Sequence, residues 1–411
     1  MPAGGNESAG TSRRPVYALD VGTTKVVALA GLPPEGETPA EVVSVGEVPS
    51  RGLRKGVVVD RDAAADTVAR ALERCGVPAG SRVVVGIAGS HVECARVEVT
   101  LLNRGEDLTV TQPFLERLEE EARLSATREG RQVIHVVPRE YVLDGSNGVR
   151  HPLGLAARRV TLRASVVSGA VTSIQNLLYA VEDCGVEVAR IVLEPLASAE
   201  VCLPERARAR GAVLLDIGGG TTDLAVFEDG VMVHAAVIPI GGESFSSDVA
   251  YGMKVSFEVA ERLKVRYGSA LSRTIDPVAA VRLGNRYYNA HFLSEILEYR
   301  AREVFEYARD ALREASVKGL LPGGVFLTGG GSLLEGMDEV CEEILGMRAS
   351  KAAPRRLEGN AKALRKPQYS TAVGLLGFGP RHNEPVAEGE GATKFSFGSI
   401  VAAIKSWFRG E

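Results

Sequence analysis

The chain has 411 residues, 45% of them hydrophobic and 24% charged, with a net charge of −4 at pH 7, enough for roughly two or three globular domains with full cores. That balance gives no reason to expect nucleic-acid binding. Five scattered cysteines with no C-x-x-C pair argue against a disulfide framework or a zinc site and fit a reducing cytosol. Residues 1–14 are small and polar and are read as disordered. They lack the apolar run of a signal peptide, and no stretch of about 18 apolar residues predicts a transmembrane helix.

Residues 16–31 (VYALDVGTTKVVALAG) predict a hairpin, with a third strand over 42–48, a helix over 60–74 opened by an Asp cap, and a buried strand over 82–88. A different α+β pattern follows over 87–165: strands at 92–102, 133–143 and 160–167 around an amphipathic helix at 111–125. It reads as a self-contained insert lying outside the first lobe's binding face. A helix at 172–184 and a strand at 187–193 return to the first-lobe pattern. Residues 212–230 (AVLLDIGGGTTDLAVFEDG) repeat the opening hairpin, with a third strand over 231–239. Helices are expected at 243–251, 256–267 and 290–316, and Arg282, Arg286, Arg300 and Arg302 are read as lying along this helical region. A strand at 324–328 then leads through Gly329-Gly330-Gly331 to a helix at 333–344, and a last packed helix covers 368–376.

The repeated hairpin carries the chemistry. In each copy an apolar strand ends in Asp-x-Gly, followed by threonines and a second strand. Backbone N–H groups of such a turn and the hydroxyls of Thr23, Thr24, Thr221 and Thr222 suit phosphate oxygens, and Asp20 and Asp216 suit a hydrated Mg²⁺. Two copies half a chain apart predict two similar lobes gripping one nucleotide from opposite sides. Gly242 and the Gly330, Gly331, Ser332 turn are further points of close backbone approach. Glu261 and Lys264 share one helix face, where the carboxylate can meet a ribose and the lysine stem an adenine. Glu194 closes a strand and opens a helix of small residues, placed to touch a metal-bound water.

This order of motifs resembles the actin/Hsp70/sugar-kinase ATPase superfamily over residues 15–379. Within it, GGESFSSDVAYGMKVSFEVAERLKVRYG (241–268) is most similar to the FtsA family. The resemblance implies an α/β, actin-like fold of two ribonuclease-H-like lobes with an FtsA-type 1C subdomain inserted in the first lobe. The implied domains are 15–86 with 166–210 (1A), 87–165 (1C), 211–242 with 325–379 (2A) and 243–324 (2B). It further implies ATP and Mg²⁺ as cofactors, with Asp20 and Asp216 holding Mg²⁺ through waters. Gly22, Thr23, Thr24, Lys25, Gly218, Gly219, Gly220, Thr221 and Thr222 would lie at the phosphates. Gly242, Glu261, Lys264, Gly330, Gly331 and Ser332 would surround the nucleoside, and Glu194 would position water, with at most weak ATPase activity. A PilM-type pilus-assembly protein is the alternative. A sugar kinase would need a second substrate pocket, and an Hsp70-type chaperone a peptide-binding domain; neither is readable here.

Residues 380–393 are Pro-, Gly- and Glu-rich and read as a flexible linker. In 394–409, Phe395, Phe397, Ile400, Val401, Ile404, Trp407 and Phe408 fall on one helical stripe flanked by Lys394, Lys405 and Arg409. A helix of ~14 residues is marginal alone in water and this pattern suits an anionic bilayer surface. The FtsA resemblance agrees, implying a peripheral protein on the inner face of the cell membrane at the division septum. The implied partners are the FtsZ C-terminal peptide, received in 2B with Arg300 as a contact, a second copy of the chain through 1C, and other divisome proteins.

Overall fold

The computed structural model describes residues 15–34, 38–315, 321–355, 357–359 and 361–379. The first lobe opens with β1 (Val16–Val21), β2 (Lys25–Leu32) and β3 (Ala40–Pro49), all rich in the β-branched and small apolar residues that suit a sheet buried on both faces. A small hairpin, β4 (Leu53–Arg54) and β5 (Val57–Val58), precedes α1 (Arg61–Cys75). The Asp60 side chain accepts from the Ala63 N–H at the start of α1, the expected cap. β6 (Arg82–Ile87) then pairs in parallel with β1.

The insert follows as β7 (Val92–Leu102), α2 (Gln112–Ala126), β8 (Arg131–Leu143), β9 (Ser146–Val149) and β10 (Arg159–Ala170), forming a sheet of order β7-β10-β8-β9. β10 runs to Ala170, past the expected boundary at 165. The insert has its own core of Phe114, Leu118, Leu162 and neighbours. It is less separate than the sequence suggests, because it packs on both lobes. Val92 and Val167 share a cluster with second-lobe residues such as Leu214 and Phe227, and the buried Ser165 Oγ donates to the Val233 carbonyl at 2.9 Å.

α3 (Val171–Glu182) and β11 (Glu187–Leu193) return to the first lobe. α4 (Glu194–Cys202) and α5 (Glu205–Arg210) cross to the second. There β12 (Ala212–Ile217), β13 (Thr222–Glu228) and β14 (Val231–Ile238) are followed by α6 (Gly242–Met253) and α7 (Phe257–Tyr267). Next come an unexpected hairpin, β15 (Ala280–Leu283) with β16 (Arg286–Asn289), and the long α8 (Ala290–Glu314). Arg282 and Arg286 therefore lie on strands, not along a helix. β17 (Gly324–Thr328), α9 (Met337–Leu345), β18 (Ala349–Lys351), β19 (Leu357–Gly359) and α10 (Ser370–Leu375) complete the fold. α9 starts at Met337 rather than 333, because Gly330–Leu333 closes a 3₁₀ turn first.

The repeat is topological as well as local. The first-lobe sheet runs β3-β2-β1-β6-β11 with β19 added beyond β3, and the second runs β14-β13-β12-β17-β18. Each begins with an antiparallel three-strand meander and continues with two parallel strands, in the same order. The carboxyl ends of β1 and β12, where the two Asp-x-Gly turns sit, therefore occupy matching places. Among the described residues no helix is long and apolar enough to cross a membrane.

Candidate nucleotide site

The two turns are built alike. The Gly22 N–H donates to the Lys25 carbonyl at 3.0 Å, and the Gly218 N–H to the Thr221 carbonyl at 2.9 Å, so each strand end folds back five residues after its aspartate. The hairpins face each other in contact. A Cβ on Gly219 would run into the Thr24 side chain, and one on Gly220 into Thr23 Oγ1 and the Lys55 backbone. Glycine is thus required at 219 and 220 by the opposing hairpin rather than by the turn itself. The N-terminus of α6 is tied to the same turn, with Gly242 and Glu243 N–H groups donating to the Gly218 and Gly219 carbonyls at 2.9 and 2.8 Å.

Between the lobes lies a cleft of about 720 Å³, a volume suited to a cofactor-sized ligand. The structure brings Asp20, Gly22, Thr23, Thr24, Lys25, Glu194, Asp216, Gly218, Gly219, Gly220 and Thr221 to its floor. Gly242, Glu261, Lys264, Gly330 and Gly331 lie along its wall. Thr222 is buried within β13, its hydroxyl donating to the Ile240 carbonyl at 2.8 Å, and Ser332 is turned onto the Gly329 carbonyl at 2.7 Å. These two support the site rather than line it. Lys264 Nζ donates to Glu261 and to the Gly242 carbonyl, both at 2.8 Å, and Ser246 Oγ also donates to Glu261. The pair is therefore a fixed element of the wall and not a loose surface ion pair.

Four carboxylates converge at the floor. Burial pushes Asp20 up to about 7, with the Lys25 ammonium pulling the other way and the Asp216 charge adding to the rise. Burial raises Glu194 well above the carboxylate range, helped by the charges of Asp20, Asp223 and Asp216. Asp216 is also raised by burial, against hydrogen bonds from Ser198 at 2.7 Å and Thr371 at 3.2 Å. Asp223 rises through burial and the neighbouring Asp216, and its Oδ1 makes no hydrogen bond. A cluster so short of positive charge is what a divalent cation relieves. No three His, Cys, Asp or Glu among the described residues stand close enough to ligate one ion directly. These hard oxygen ligands fit Mg²⁺ held through its own water shell.

Lys25 is the counter-charge. Its buried Nζ makes no hydrogen bond and sits 3.8 Å from the centre of the Tyr369 ring, and burial holds its ammonium below the ordinary lysine range. The Tyr369 hydroxyl donates to Glu47 at 2.8 Å. An ammonium left without acceptors in this cleft marks where anionic oxygens fit. Asp223, Tyr369, Glu47 and Thr371 were not singled out in the sequence, and Ser198 only as one of the small residues after Glu194. Of the first four, only Asp223 carried a signal, as the last residue of Asp-x-Gly-Gly-Gly-Thr-Thr-Asp.

Away from the cleft, Arg300 is already engaged. Its Nε and Nη2 meet the Asp248 carboxylate at 2.5 and 3.0 Å and its Nη1 meets Glu303, which clamps α8 to α6. Phe395, Phe397, Ile400, Val401, Ile404, Trp407 and Phe408 lie outside the described residues.

Comparison with known proteins agrees with this geometry. Residues 213–374 match the family model "Cell division protein FtsA", and residues 89–168 match "SHS2 domain inserted in FTSA". The chain is 35% identical to the cell division protein FtsA of Pseudomonas aeruginosa, over 97% of this chain and 99% of that one. It is 32% identical to FtsA of Escherichia coli K12, over 98% and 99%. Among solved structures, a PilM–PilN type IV pilus biogenesis complex is similar with a TM-score of 0.67 at 17% identity, covering 90% of this chain and 100% of that one. MreB5 of Spiroplasma citri bound to AMPPNP gives 0.50 at 15% identity, covering 96% and 99%. At those identities the structures establish the actin-like fold alone, whereas the near full-length likeness in sequence decides the family: the chain belongs to the FtsA family of cell-division proteins.

Proposed function

We propose that the chain binds Mg-ATP between its lobes and uses the nucleotide-bound body as a membrane tether for FtsZ at the division site. The observation that carries the nucleotide half is the pair of matching Asp-x-Gly turns in contact across a cleft that holds three buried aspartates, the half-buried Glu194 and one ammonium without acceptors. In this reading Asp20 and Asp216 hold Mg²⁺ through waters. Thr23 to Lys25 and Gly219 to Thr221 donate to the phosphates, with Lys25 leaving Tyr369 for them, while the Gly22 and Gly218 N–H groups close the two turns. Glu261, Lys264, Gly330 and Gly331 flank the nucleoside. Mg²⁺, when bound, would neutralise phosphate charge; Glu194 and Asp223 line the same cleft and would orient an attacking water in any hydrolysis. The fold neighbour MreB5 was solved with ADP and with AMPPNP, which supports adenine nucleotide as the ligand.

The tethering half rests on family membership and on the amphipathic stripe at 394–409. FtsZ would dock its C-terminal peptide on 2B, where Tyr251 of α6 and Tyr299 of α8 are 89% and 76% exposed and Phe292 of α8 lies against Gly252 of α6. These apolar groups take the leading part there, because Arg300 is held internally. The insert would meet a second copy of the chain. The PilM-type alternative has fold likeness alone on its side. Co-sedimentation with anionic liposomes, with ATP, Mg²⁺ and FtsZ present, tests the whole reading. FtsZ should pellet with the lipid only when this protein is present. FtsZ left in the supernatant while this protein pellets would remove the tether role.

A further inference from the structure

α4 and α10 cross at the junction of the lobes. α10 packs into the first-lobe core through Ala372, Val373 and Leu375, with Leu376 of the turn that follows, where it meets Ala197 of α4. The other side of α4, through Ala199 and Cys202, belongs to the cluster containing second-lobe residues Ala212, Leu214 and Phe326. The crossing is tight: a Cβ on Gly374 would overlap the Ala197 carbonyl. A change in the angle between the lobes would alter the packing where these helices touch.

Three buried polar side chains meet at that point. Ser198 of α4 donates to Asp216 Oδ2 at 2.7 Å, Thr371 of α10 lies 3.2 Å from the same oxygen, and the two hydroxyl oxygens are 2.9 Å apart. Ser198 is fully buried, and Thr371 and Asp216 are nearly so. Each hydroxyl has one proton, so Thr371 either donates to the carboxylate beside Ser198 or backs the Ser198 bond. In both arrangements one oxygen of a second-lobe aspartate is fixed by groups from both helices of the crossing. Ser198 stands four residues after Glu194 on α4, so both project from one helix face toward the cleft. Apolar side chains would fill this space with no polar demands. The hydroxyls make sense as a means of aiming a carboxylate that needs an exact direction.

We infer that Ser198 and Thr371 are positioning residues for Asp216, through which the lobe crossing sets how well that carboxylate receives the hydrated Mg²⁺ of the bound nucleotide. The inference rests on the Mg-ATP reading above. It predicts a selective defect: losing the hydroxyls weakens the contribution of Mg²⁺ to binding while leaving the contacts to base and ribose alone.

The test is calorimetric titration of ATP into the full-length protein, in excess Mg²⁺ and in EDTA. Wild type is compared with Ser198→Ala, Thr371→Val and Thr371→Ser, with a thermal melt confirming that each is folded. Losing a hydrogen bond to a charged group should cut the gain in ATP affinity from Mg²⁺ about tenfold in Ser198→Ala and Thr371→Val, with the EDTA affinity changed less than about twofold. Thr371→Ser, which keeps the hydroxyl, should retain the gain. An unchanged gain in the first two variants, or an equal loss with and without Mg²⁺, would overturn the inference, the second result marking a purely structural role. Should Ser198→Ala fail to fold, Thr371→Val keeps the side-chain shape and decides alone. Wild-type protein that binds no ATP in either condition would overturn the nucleotide reading itself, and this inference with it.

Discussion

Asp223 shows what the cleft costs the protein. Its carboxylate is buried, one oxygen has no hydrogen-bond partner, and its pKa is raised well above the ordinary value. An acid with a raised folded pKa loses stability as pH climbs from its unfolded value through the folded one. At pH 8 the cost is present, whether met as a buried charge or as a proton taken up on folding; near pH 4, where the unfolded acid is itself largely protonated, it is gone. Asp223→Asn removes the charge and nearly keeps the shape. The nucleotide-free variant should be more stable than wild type by about 0.5–2 kcal/mol at pH 8, the scale of gains at functional sites, with the difference vanishing toward pH 4 in thermal melts. Mg-ATP binding should weaken at the same time. A variant less stable at pH 8, with Mg-ATP binding intact, would make Asp223 a structural residue. The sequence read residues of the two turns because Asp, Gly and Thr at fixed spacing leave a local imprint. Tyr369, Glu47 and Thr371 left none, since each reaches the site from a distant segment and each type is common elsewhere, and Ser198 was legible only as one of the small residues after Glu194.

At the scale of elements, the insert is linked directly to the strand that delivers Glu194. The Leu193 N–H at the end of β11 donates to His135 Nε2 of β8 at 3.0 Å. Burial, with the charges of Arg190 and Arg123, holds the His135 imidazole down to about 4, so it stays neutral and accepts. A histidine with a depressed folded pKa lends stability that is complete above its unfolded value of 6.5 and is lost as pH falls toward 4. His135→Gln should therefore cost about 1 kcal/mol at pH 7 and less at pH 5, where wild type has lost part of its advantage. Equal costs at both pH values would remove His135 as the source. Deleting the insert is a harsher change than its sequence implies, because Val92, Val167 and Ser165 would leave apolar surface and the Val233 carbonyl uncovered. The sequence marked the long strands and helices closely because their apolar periodicity is strong. It missed β15–β16, whose four-residue strands are too short for a period, although Gly284-Asn285 between two short runs is a hairpin signal. It missed the packing of the insert on β14 because contacts between alternating strands leave no pattern in either.

For the whole molecule, the proposal joins a nucleotide clamp at 15–379 to a lipid-binding stripe at 394–409. The two lobes were legible because a duplicated lobe prints its motif twice, and the topology repeats with it. The small residues after Glu194 suggested that the lobes meet closely there, but their mutual placement was not legible, since it depends on α10 crossing α4 and nothing in the sequence pairs the two. The stripe is tested by Trp407→Glu. A carboxylate in the centre of an apolar face costs several kcal/mol to bury, comparable to the net hold of one interfacial helix. The variant should bind ATP as wild type does and remain in the supernatant with anionic liposomes. Pelleting like wild type would move the anchor elsewhere.

The central claim is that both Asp-x-Gly turns serve one metal-bound nucleotide. Calorimetric titration of ATP in excess Mg²⁺, for wild type, Asp20→Ala and Asp216→Ala, addresses it most directly. Each aspartate comes from a different lobe, so one shared ion requires both. The predicted result is one ATP per wild-type chain and a loss of about tenfold or more in either variant, the scale of a charged interaction withdrawn from a buried site. Wild-type affinity in both variants, or a loss confined to one lobe's aspartate, would contradict the account.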